Sequence, residues 1–482
     1  MPDEQLAQLT ARQLREGYES GALSPVAVAE TVLGRIERLN GDLTAFVTVT
    51  ADEARRAAAA AERALRGDGG ADGDGGAGGP GGALCGVPIS IKDMIVTRGV
   101  RTTIGSLLLA DWVPEFDTPT SERLRAARAP LLGKTTTSEF GWKGDSGNRV
   151  NGPARNPWRL DRTAGGSSGG AAAAVAAGLG PAAIGSDGAG SVRIPAAFCG
   201  VFGIKPSYGV IPAFPISPIE SLSHLGVLAT TVADAADVLD VVAGPDPRDR
   251  FSLPDTGADY AAALTGPLGE LRIAWSPDLG YAAVEPEVRE STAAAATVFE
   301  SLGCRVSEVV GGWDDPYPFL DVIWSAGNAG RHRDDLEQVR HLIDPGRLEI
   351  VERGMRITGP ELAVAHAAKA TFAETVRQFM DGYDLLLTPT LPLTAFEAGA
   401  DHPGEVAGRP TEYLSWTPFT YPFNICGLPA ASVPCGMSGG LPVGLQIVGG
   451  WRQDALVLRA AAAFEEAAPW PRHAAGEGLS FD

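Results

Sequence analysis

Residues 165–170 read Gly-Gly-Ser-Ser-Gly-Gly and open directly onto an alanine-rich run at 171–177. Glycine permits backbone conformations that other residues rarely adopt, and a helix that begins after such a turn presents unpaired N–H groups. The stretch lacks the Gly-Lys-Ser/Thr ending of a phosphate-binding P-loop. It therefore predicts either a turn into a tightly packed helix or a serine held for chemistry at a helix start.

A second glycine-rich turn follows a candidate strand at 182–184. It reads Gly-Ser-Asp-Gly-Ala-Gly-Ser-Val-Arg-Ile-Pro over residues 185–195. Ser191 stands behind consecutive small residues whose backbone N–H groups can converge on one point, as an oxyanion hole requires. Two serine-bearing glycine turns so close together favour a catalytic interpretation over a purely structural one.

A lysine stands at the end of a short apolar run, at Lys92 after residues 87–91. Such a lysine is ordinarily a surface residue at a strand end. Burial, however, lowers the pKa of a lysine, and a neutral amine can accept a proton. Lys92 is therefore either a surface charge or a candidate general base.

The composition is that of an ordinary globular enzyme. Of the 482 residues, 44% are apolar and 20% charged, close to globular averages. No uninterrupted apolar run reaches the roughly 18 residues of a membrane span, and the first residues are acidic, unlike a signal peptide. We therefore expect a cytoplasmic protein without a membrane partner.

Charge and cysteine content exclude further classes. The formal net charge of −20 argues against binding to a nucleic-acid backbone. The five cysteines form no C-x-x-C pair, which argues against a zinc knuckle and a disulfide framework. We expect them to be buried thiols.

The chain divides into three parts. Residues 1–66 carry apolar residues at helical spacing and predict an N-terminal helical arm, with Ser24-Pro25 as the start of one helix. Residues 67–82 are dominated by glycine and aspartate and predict a flexible loop. Residues 83–482 alternate strand-like and helical stretches and predict an α/β core in a single domain overall. Strands are expected at 87–91, 130–133, 383–389 and 441–448, and a helix at about 454–467.

Several motifs together resemble the amidase signature family over about residues 8–470. These are Gly-Val-Pro-Ile-Ser-Ile-Lys-Asp at 86–93, Leu-Gly-Lys-Thr at 132–135, the two serine-bearing turns at 165–170 and 190–200, and the carboxy-terminal segments at 422–430 and 441–446. The resemblance implies the amidase-signature α/β fold, with a central mixed, mostly parallel twisted sheet covered by helices on both faces.

The resemblance also implies a mechanism and no metal or cofactor. Ser191 would be the nucleophile, Ser167 a bridging serine entered through a cis peptide bond from Gly166, and Lys92 the base. The implied reaction is cleavage of the C–N bond of aryl or alkyl amides through an acyl-enzyme. Carbamates and esters present the same carbonyl, so a urethanase or an esterase on the same triad is an alternative.

Further roles follow from the same resemblance. Backbone N–H groups of Gly188, Ala189, Gly190 and Ser191 would form the oxyanion hole, although the family usually has glycine where Ala189 stands. Residues expected to support the site, or else to be ordinary turn and cap residues, are Ser168, Asp187 and Arg193.

The substrate pocket is expected near Thr137, because the Thr136-Thr137 pair replaces a motif common in the family, and near Trp142. The aromatic residues that can line such a pocket, or simply pack the core, are Trp142, Trp313, Tyr317, Phe319, Trp324, Trp416 and Tyr421.

Two rival interpretations remain. Residues 165–169 also fit the G-x-S-x-G pattern of an α/β-hydrolase with Ser167 as nucleophile and a downstream histidine. The chain is alternatively the A-type subunit of a tRNA-dependent amidotransferase, which would need a partner subunit. The partner otherwise expected is a small-molecule amide, carbamate or ester, and a homodimer is a family-level expectation.

Overall fold

A computed structural model gives the structure of residues 3–67, 82–255 and 257–474. The loop predicted at 67–82 lies almost entirely outside the described residues. The α-helices of the described ranges are α1 Asp3–Ala7, α2 Ala11–Glu19, α3 Pro25–Leu43, α4 Ala51–Leu65, α5 Pro119–Ala126, α6 Gly169–Ala176, α7 Arg193–Cys199, α8 Val232–Val242, α9 Pro286–Ser301, α10 Tyr317–Gly330, α11 Leu336–Val339, α12 Pro345–Gly354, α13 Gly359–Met380, α14 Tyr421–Ile425 and α15 Asp454–Ala467.

The strands follow the same chain order. They are β1 Phe46–Val49, β2 Ile89–Lys92, β3 Leu131–Thr135, β4 Arg155–Asn156, β5 Arg159–Thr163, β6 Ala182–Asp187, β7 Phe202–Lys205, β8 His224–Ala229, β9 Arg272–Trp275, β10 Arg305–Glu308, β11 Leu385–Pro389, β12 Glu405–Val406, β13 Arg409–Pro410, β14 Ala430–Ser438 and β15 Leu441–Gly449. The four expected strands and the helix at 454–467 are confirmed within a few residues.

One 11-stranded sheet organises the molecule, in the order β1-β3-β2-β6-β8-β7-β14-β15-β11-β9-β10. The mixed sheet is confirmed, but the expectation that it is mostly parallel is wrong. The β3–β2, β2–β6, β11–β9 and β9–β10 pairs are parallel, whereas the other neighbouring pairs are antiparallel. Part of the reason is local: β14 and β15 form a hairpin through Gly439 and Gly440, both with positive φ, and such two-residue turns force antiparallel pairing.

Helices cover both faces of the sheet, as expected. Alternate residues of β6 show this, because Ile184 belongs to the core shared with α8 and α15, whereas Ala183 belongs to the core shared with α3 and α6. Successive strand side chains point to opposite faces, so the two cores lie on opposite sides.

The N-terminal arm is helical but also supplies a strand. Ser24 accepts a hydrogen bond from the backbone N–H of Ala27 and caps α3, as predicted. β1, which the helical pattern did not reveal, pairs antiparallel with β3 and forms an edge of the sheet. The arm is therefore part of the sheet architecture. None of the helices in the described ranges is long and apolar enough to cross a bilayer.

Three parallel strands position the site. β2 lies between β3 and β6, with Ile91 level with Ile184. Parallel strands end at the same edge of a sheet. Lys92 at the end of β2 and Asp187 at the end of β6 therefore lie close together, next to the turn that leads to Ser191.

Gly170, in the first turn of α6, packs where no side chain fits. A Cβ there would lie 2.3 Å from the carbonyl oxygen of Ala45 and 2.4 Å from the backbone nitrogen of Thr136. Gly170→Ala should lower the free energy of unfolding by about 1–3 kcal/mol or more, because backbone atoms must move. Gly41→Ala is the control, since that glycine lies in α3 with nothing within 4 Å of its Cβ position. It should stabilise by about 0.5–1 kcal/mol. Denaturant unfolding of both variants checks this, and equal midpoints would contradict it.

Candidate active site

Lys92 is a fully buried amine in contact with a serine. Its Nζ lies 2.7 Å from Ser167 Oγ and 2.9 Å from Ser186 Oγ, and the side chain is inaccessible to solvent. Burial lowers the pKa of Lys92 to about 7, although the charge of Asp187 opposes this. At neutral pH a large share of Lys92 is therefore uncharged and able to accept a proton.

Two other buried lysines have lowered pKa values, and geometry distinguishes them from Lys92. Burial lowers the pKa of Lys134 to about 8 and that of Lys205 to about 7. Lys134 donates to Thr97 and Thr102, 3.0 Å away in each case, and Lys205 donates to backbone carbonyl groups. Of the three, Lys92 is the lysine that contacts a serine of the two glycine-rich turns.

Ser167 and Ser191 lie on the wall of one cavity. The Gly166–Ser167 peptide bond is cis, as predicted. The backbone N–H of Ser168 donates to the carbonyl oxygen of Ser191 at 3.2 Å, which ties the two turns together. Within the described ranges, the hydroxyl of Ser191 makes no direct hydrogen bond to Ser167. The structure thus contains the Lys92–Ser167 contact and brings Ser191 to the same wall.

Asp187 organises the turn that carries Ser191. Its carboxylate accepts hydrogen bonds from the backbone N–H groups of Gly190 and Val192 at 2.7 and 3.1 Å. Arg193 donates to both of its oxygens at 2.9 and 3.0 Å, and both side chains are fully buried. Burial opposes ionisation, but Arg193 outweighs it and holds the pKa of Asp187 well below its usual range. Asp187 and Arg193 therefore form an ion pair that holds the turn, rather than being ordinary turn residues.

These bonds correct the predicted oxyanion hole. The N–H of Gly190 points to Asp187, so it is occupied and the expectation that it binds an oxyanion is wrong. The N–H groups of Gly188, Ala189 and Ser191 have no acceptor within the described part of the chain. Gly190 has φ 126°, whereas Ala189 is not among the described residues with positive φ. The strained position is thus a glycine, and the Cβ of Ala189 is tolerated.

Ser186 is a site residue that the motif analysis missed. It accepts a hydrogen bond from Lys92 and lies on the cavity wall. Ser168 supports it, because Ser168 Oγ donates to the carbonyl oxygen of Ser186 at 3.1 Å and accepts from its N–H at 3.3 Å. Ser168 is therefore connected to Lys92 through Ser186. No local sequence signal identifies Ser186, because its contact with Lys92 depends on the pairing of β2 with β6.

The cavity beside these serines has a volume of about 380 Å³. Most of its wall is apolar, and the large apolar side chains on it include Met94, Trp112, Phe140, Phe214, Ile219 and Trp324.

The two predicted pocket residues lie elsewhere. Trp142 is buried in the core and stacks on Tyr413, with ring centroids 6.1 Å apart. Thr137 is buried, and its carbonyl oxygen accepts a hydrogen bond from Asn148. The expectation that they line the substrate pocket is wrong, because the chain after β3 turns both into the interior. Of the aromatic candidates, Trp324 lies on the cavity wall, whereas the others belong to or pack against core clusters.

The α/β-hydrolase interpretation fails on geometry. The strand before Ser167 is β5, which pairs with β4 in a separate two-stranded sheet rather than in the central one. His224 lies on the cavity wall, but its Nδ1 contacts the carbonyl oxygen of Leu222 at 2.7 Å. Among the described residues, no histidine ring hydrogen-bonds either serine.

Asp187→Asn should destabilise the fold. The amide removes the negative charge beside Arg193, and breaking one partner of a buried ion pair costs about 3–5 kcal/mol. Denaturant unfolding measures this. Asp161→Asn is the control, because Asp161 is exposed and its pair with Arg159 at 3.3 Å contributes little. An unchanged unfolding midpoint for Asp187→Asn would show that the turn does not depend on this charge.

Comparisons with known proteins agree with this geometry. A family model described as Amidase matches residues 27–458. An acylamidase from Rhodococcus erythropolis is 40% identical over 98% of this chain and 98% of its own length. The A-type subunit of the glutamyl-tRNA(Gln) amidotransferase from Chromohalobacter salexigens is 35% identical, over 96% of this chain and 97% of that protein.

Solved structures give the same result. A bacterial aryl acylamidase of the amidase signature family superposes with a TM-score of 0.88 at 32% identity, covering 96% of each chain. A 6-aminohexanoate cyclic dimer hydrolase in complex with its substrate has a TM-score of 0.85 at 31% identity, covering 96% of this chain and 98% of that one. From its motifs, fold and relatives, the chain belongs to the amidase signature family.

Proposed function

We propose that the chain hydrolyses the C–N bond of small apolar amides through an acyl-enzyme on Ser191, with Ser167 and Lys92 as the proton relay. Amide hydrolysis is the reaction class of the family. The observation that carries the proposal is the 2.7 Å contact between the buried amine of Lys92 and Ser167, on a cavity whose wall also carries Ser191.

The relay starts from uncharged Lys92. Its lone pair accepts the proton of Ser167 while Ser167 accepts the proton of Ser191, whose oxygen attacks the carbonyl carbon. Apo enzymes often have long catalytic hydrogen bonds that tighten when substrate binds, so the separate positions of the two hydroxyls are compatible with this step. Ser167 then returns a proton to the leaving amine, and water cleaves the acyl-enzyme by the same route.

The charge that develops on the carbonyl oxygen needs fixed donors. We assign this role to the N–H groups of Gly188, Ala189 and Ser191, since that of Gly190 is occupied by Asp187. A single such donor contributes roughly 2.7–4 kcal/mol to the transition state in serine hydrolases. Asp187 and Arg193 are positioning residues that hold this turn.

The side chains on the cavity wall favour an apolar substrate. Trp112, Phe140 and Phe214 on it suit aryl or alkyl groups better than charged ones. The name of the aryl acylamidase structure points to aryl groups, and that of the Rhodococcus relative, an acylamidase, supports amide hydrolysis. Carbamates and esters remain the alternative on the same relay, and a panel of matched carbonyl compounds separates them.

The amidotransferase alternative is supported by the relatives that belong to glutamyl-tRNA(Gln) amidotransferases. It differs from the main proposal in requiring a partner chain. Turnover of a simple aryl amide by the isolated chain would argue for the main proposal, and activity that appears when partner subunits are added would argue for the alternative. The expected cytoplasmic location and homodimer stay predictions.

Ser191 should carry the acyl group. Brief reaction with an activated ester, followed by trypsin, should give a modified peptide 163–193, which contains both Ser167 and Ser191. Fragment masses should place the acyl group on Ser191, and Ser191→Ala should abolish labelling and hydrolysis of 4-nitroacetanilide. Ser167→Ala should slow hydrolysis by about 10²–10⁴ because the relay is broken. An acyl group found on Ser167 would overturn the assignment.

The pH profile should report Lys92. Because the base must be neutral, kcat/KM should rise with pH through an apparent pKa near 7 and level off above it. Lys92→Met should lower kcat/KM by about 10²–10⁴ and remove the rise. Lys369→Met is the control, since Lys369 is a partly buried lysine whose pKa is also lowered but which lies off the cavity wall. A flat profile between pH 5.5 and about 9 would contradict the role of Lys92.

A further inference from the structure

A tryptophan covers the turn that holds the carbonyl group in the proposed mechanism. A methyl group at the Cβ position of Gly188 would lie 3.1 Å from both Cη2 and Cζ3 of Trp324. It would also lie 3.3 Å from Cδ1 of Ile219. All three residues lie on the cavity wall. The outer edge of the indole and the tip of the isoleucine therefore pack closely against Gly188, and a methyl group there would have to push them aside by a few tenths of an ångström.

Both side chains are held in place. Trp324 lies within α10 and is 3% exposed. Gly327 lies one turn further along α10, and a Cβ there would come 2.4 Å from Cγ2 of Ile219, so the isoleucine packs directly on the helix. Neither group can move away without disturbing the helix packing. The packing of Trp324 and Ile219 beside Gly188 is thus a fixed feature of the cavity wall.

Among the described residues, no hydrogen bond of its indole N–H accounts for a tryptophan at position 324. Its Nε1 is buried without a hydrogen-bond partner in the part of the chain that the structure describes. A buried indole N–H usually finds an acceptor. What Trp324 contributes at this position is therefore the volume and shape of its ring.

The proposed mechanism indicates which part of a substrate meets this wall. The carbonyl carbon faces Ser191, its oxygen faces the N–H groups of the turn, and its nitrogen faces Ser167, which protonates the leaving amine. The remaining substituent of the carbonyl carbon is the α-carbon of the acyl group. We infer that Trp324 and Ile219 select amides whose α-carbon on the acyl side is unbranched. This inference rests on the proposed function and specifies its substrate class.

An isomeric pair of substrates tests the inference. Butyryl and isobutyryl 4-nitroanilide have the same atoms and differ in branching next to the carbonyl. Their ratio of kcat/KM, corrected by the ratio of their alkaline hydrolysis rates, isolates the fit to the wall. One misplaced carbon in a tight pocket changes kcat/KM by about tenfold or more. The wild-type enzyme should therefore favour the butyryl compound by at least about tenfold.

Two variants remove the atoms that form the wall. Trp324→Phe removes the outer edge of the indole and gives up no hydrogen bond, and Ile219→Val removes only Cδ1. Each should lower the butyryl preference several-fold. Trp142→Phe is the matched control, because Trp142 is another buried tryptophan whose Nε1 lacks a partner within the described residues, but it lies off the cavity. A smaller folded fraction affects both substrates equally, so the ratio is independent of stability.

The outcomes are distinct. A corrected wild-type ratio near one, or equal changes of the ratio in Trp324→Phe and Trp142→Phe, would overturn the inference while the proposed function stands. A wild-type enzyme that hydrolyses no amide would overturn the proposed function and the inference with it. A butyryl preference that falls in Trp324→Phe and Ile219→Val but not in Trp142→Phe would support it.

Discussion

The site depends on one buried carboxylate, that of Asp187. It accepts from two backbone N–H groups of the serine turn and from Arg193, and Asn424 donates to it at 2.8 Å. An ionised carboxylate without these donors would be costly to bury. The turn therefore cannot change its conformation without leaving a buried charge unpaired. The same negative charge acts on Lys92 and limits how far burial lowers its pKa. The shape of the turn that carries Ser191 and the protonation of Lys92 are therefore coupled.

Arg193 extends this constraint to the other end of the chain. It donates to the side chains of Asn424 and Gln446, which lie in α14 and β15. The carboxy-terminal part of the chain thus contributes to a site whose proposed reacting groups come from residues 92–191. A buried network of this kind is stable only when every member has its partners. This accounts for motifs at 422–430 and 441–446 that carry no reacting group.

The sequence allowed more to be predicted about the candidate site residues than about how strands and loops pack together. The serine turns and Lys92 stand out as local motifs, and the family resemblance implied the cis bond. Strand β2 and helix α15 follow from local periodicity. Pairing directions did not follow, because several strands pair with partners that are distant in the chain, as β7 does with β14 and β11 with β15. Ser186 was missed because its role depends on β2 lying beside β6. Trp142 and Thr137 were wrongly assigned to the pocket because nothing in the local sequence shows which way a loop turns after a strand. The role of Gly190 was wrong because its N–H donates to the side chain of Asp187.

The buried lysines give the folded chain an unusual acid–base behaviour. Lys92 and Lys205 have pKa values of about 7 in the folded state, against 10.5 for a solvated lysine. Unfolding returns both amines to water, so between these values the unfolded chain binds more protons, and stability from these two groups rises with pH. Near pH 9, these two lysines together therefore release about two protons when the chain refolds, and Lys134, whose pKa is lowered to about 8, adds to that release. In this acidic enzyme, the buried amines of Lys92 and Lys205 are therefore neutral bases near pH 9 that become ammonium ions when the chain unfolds.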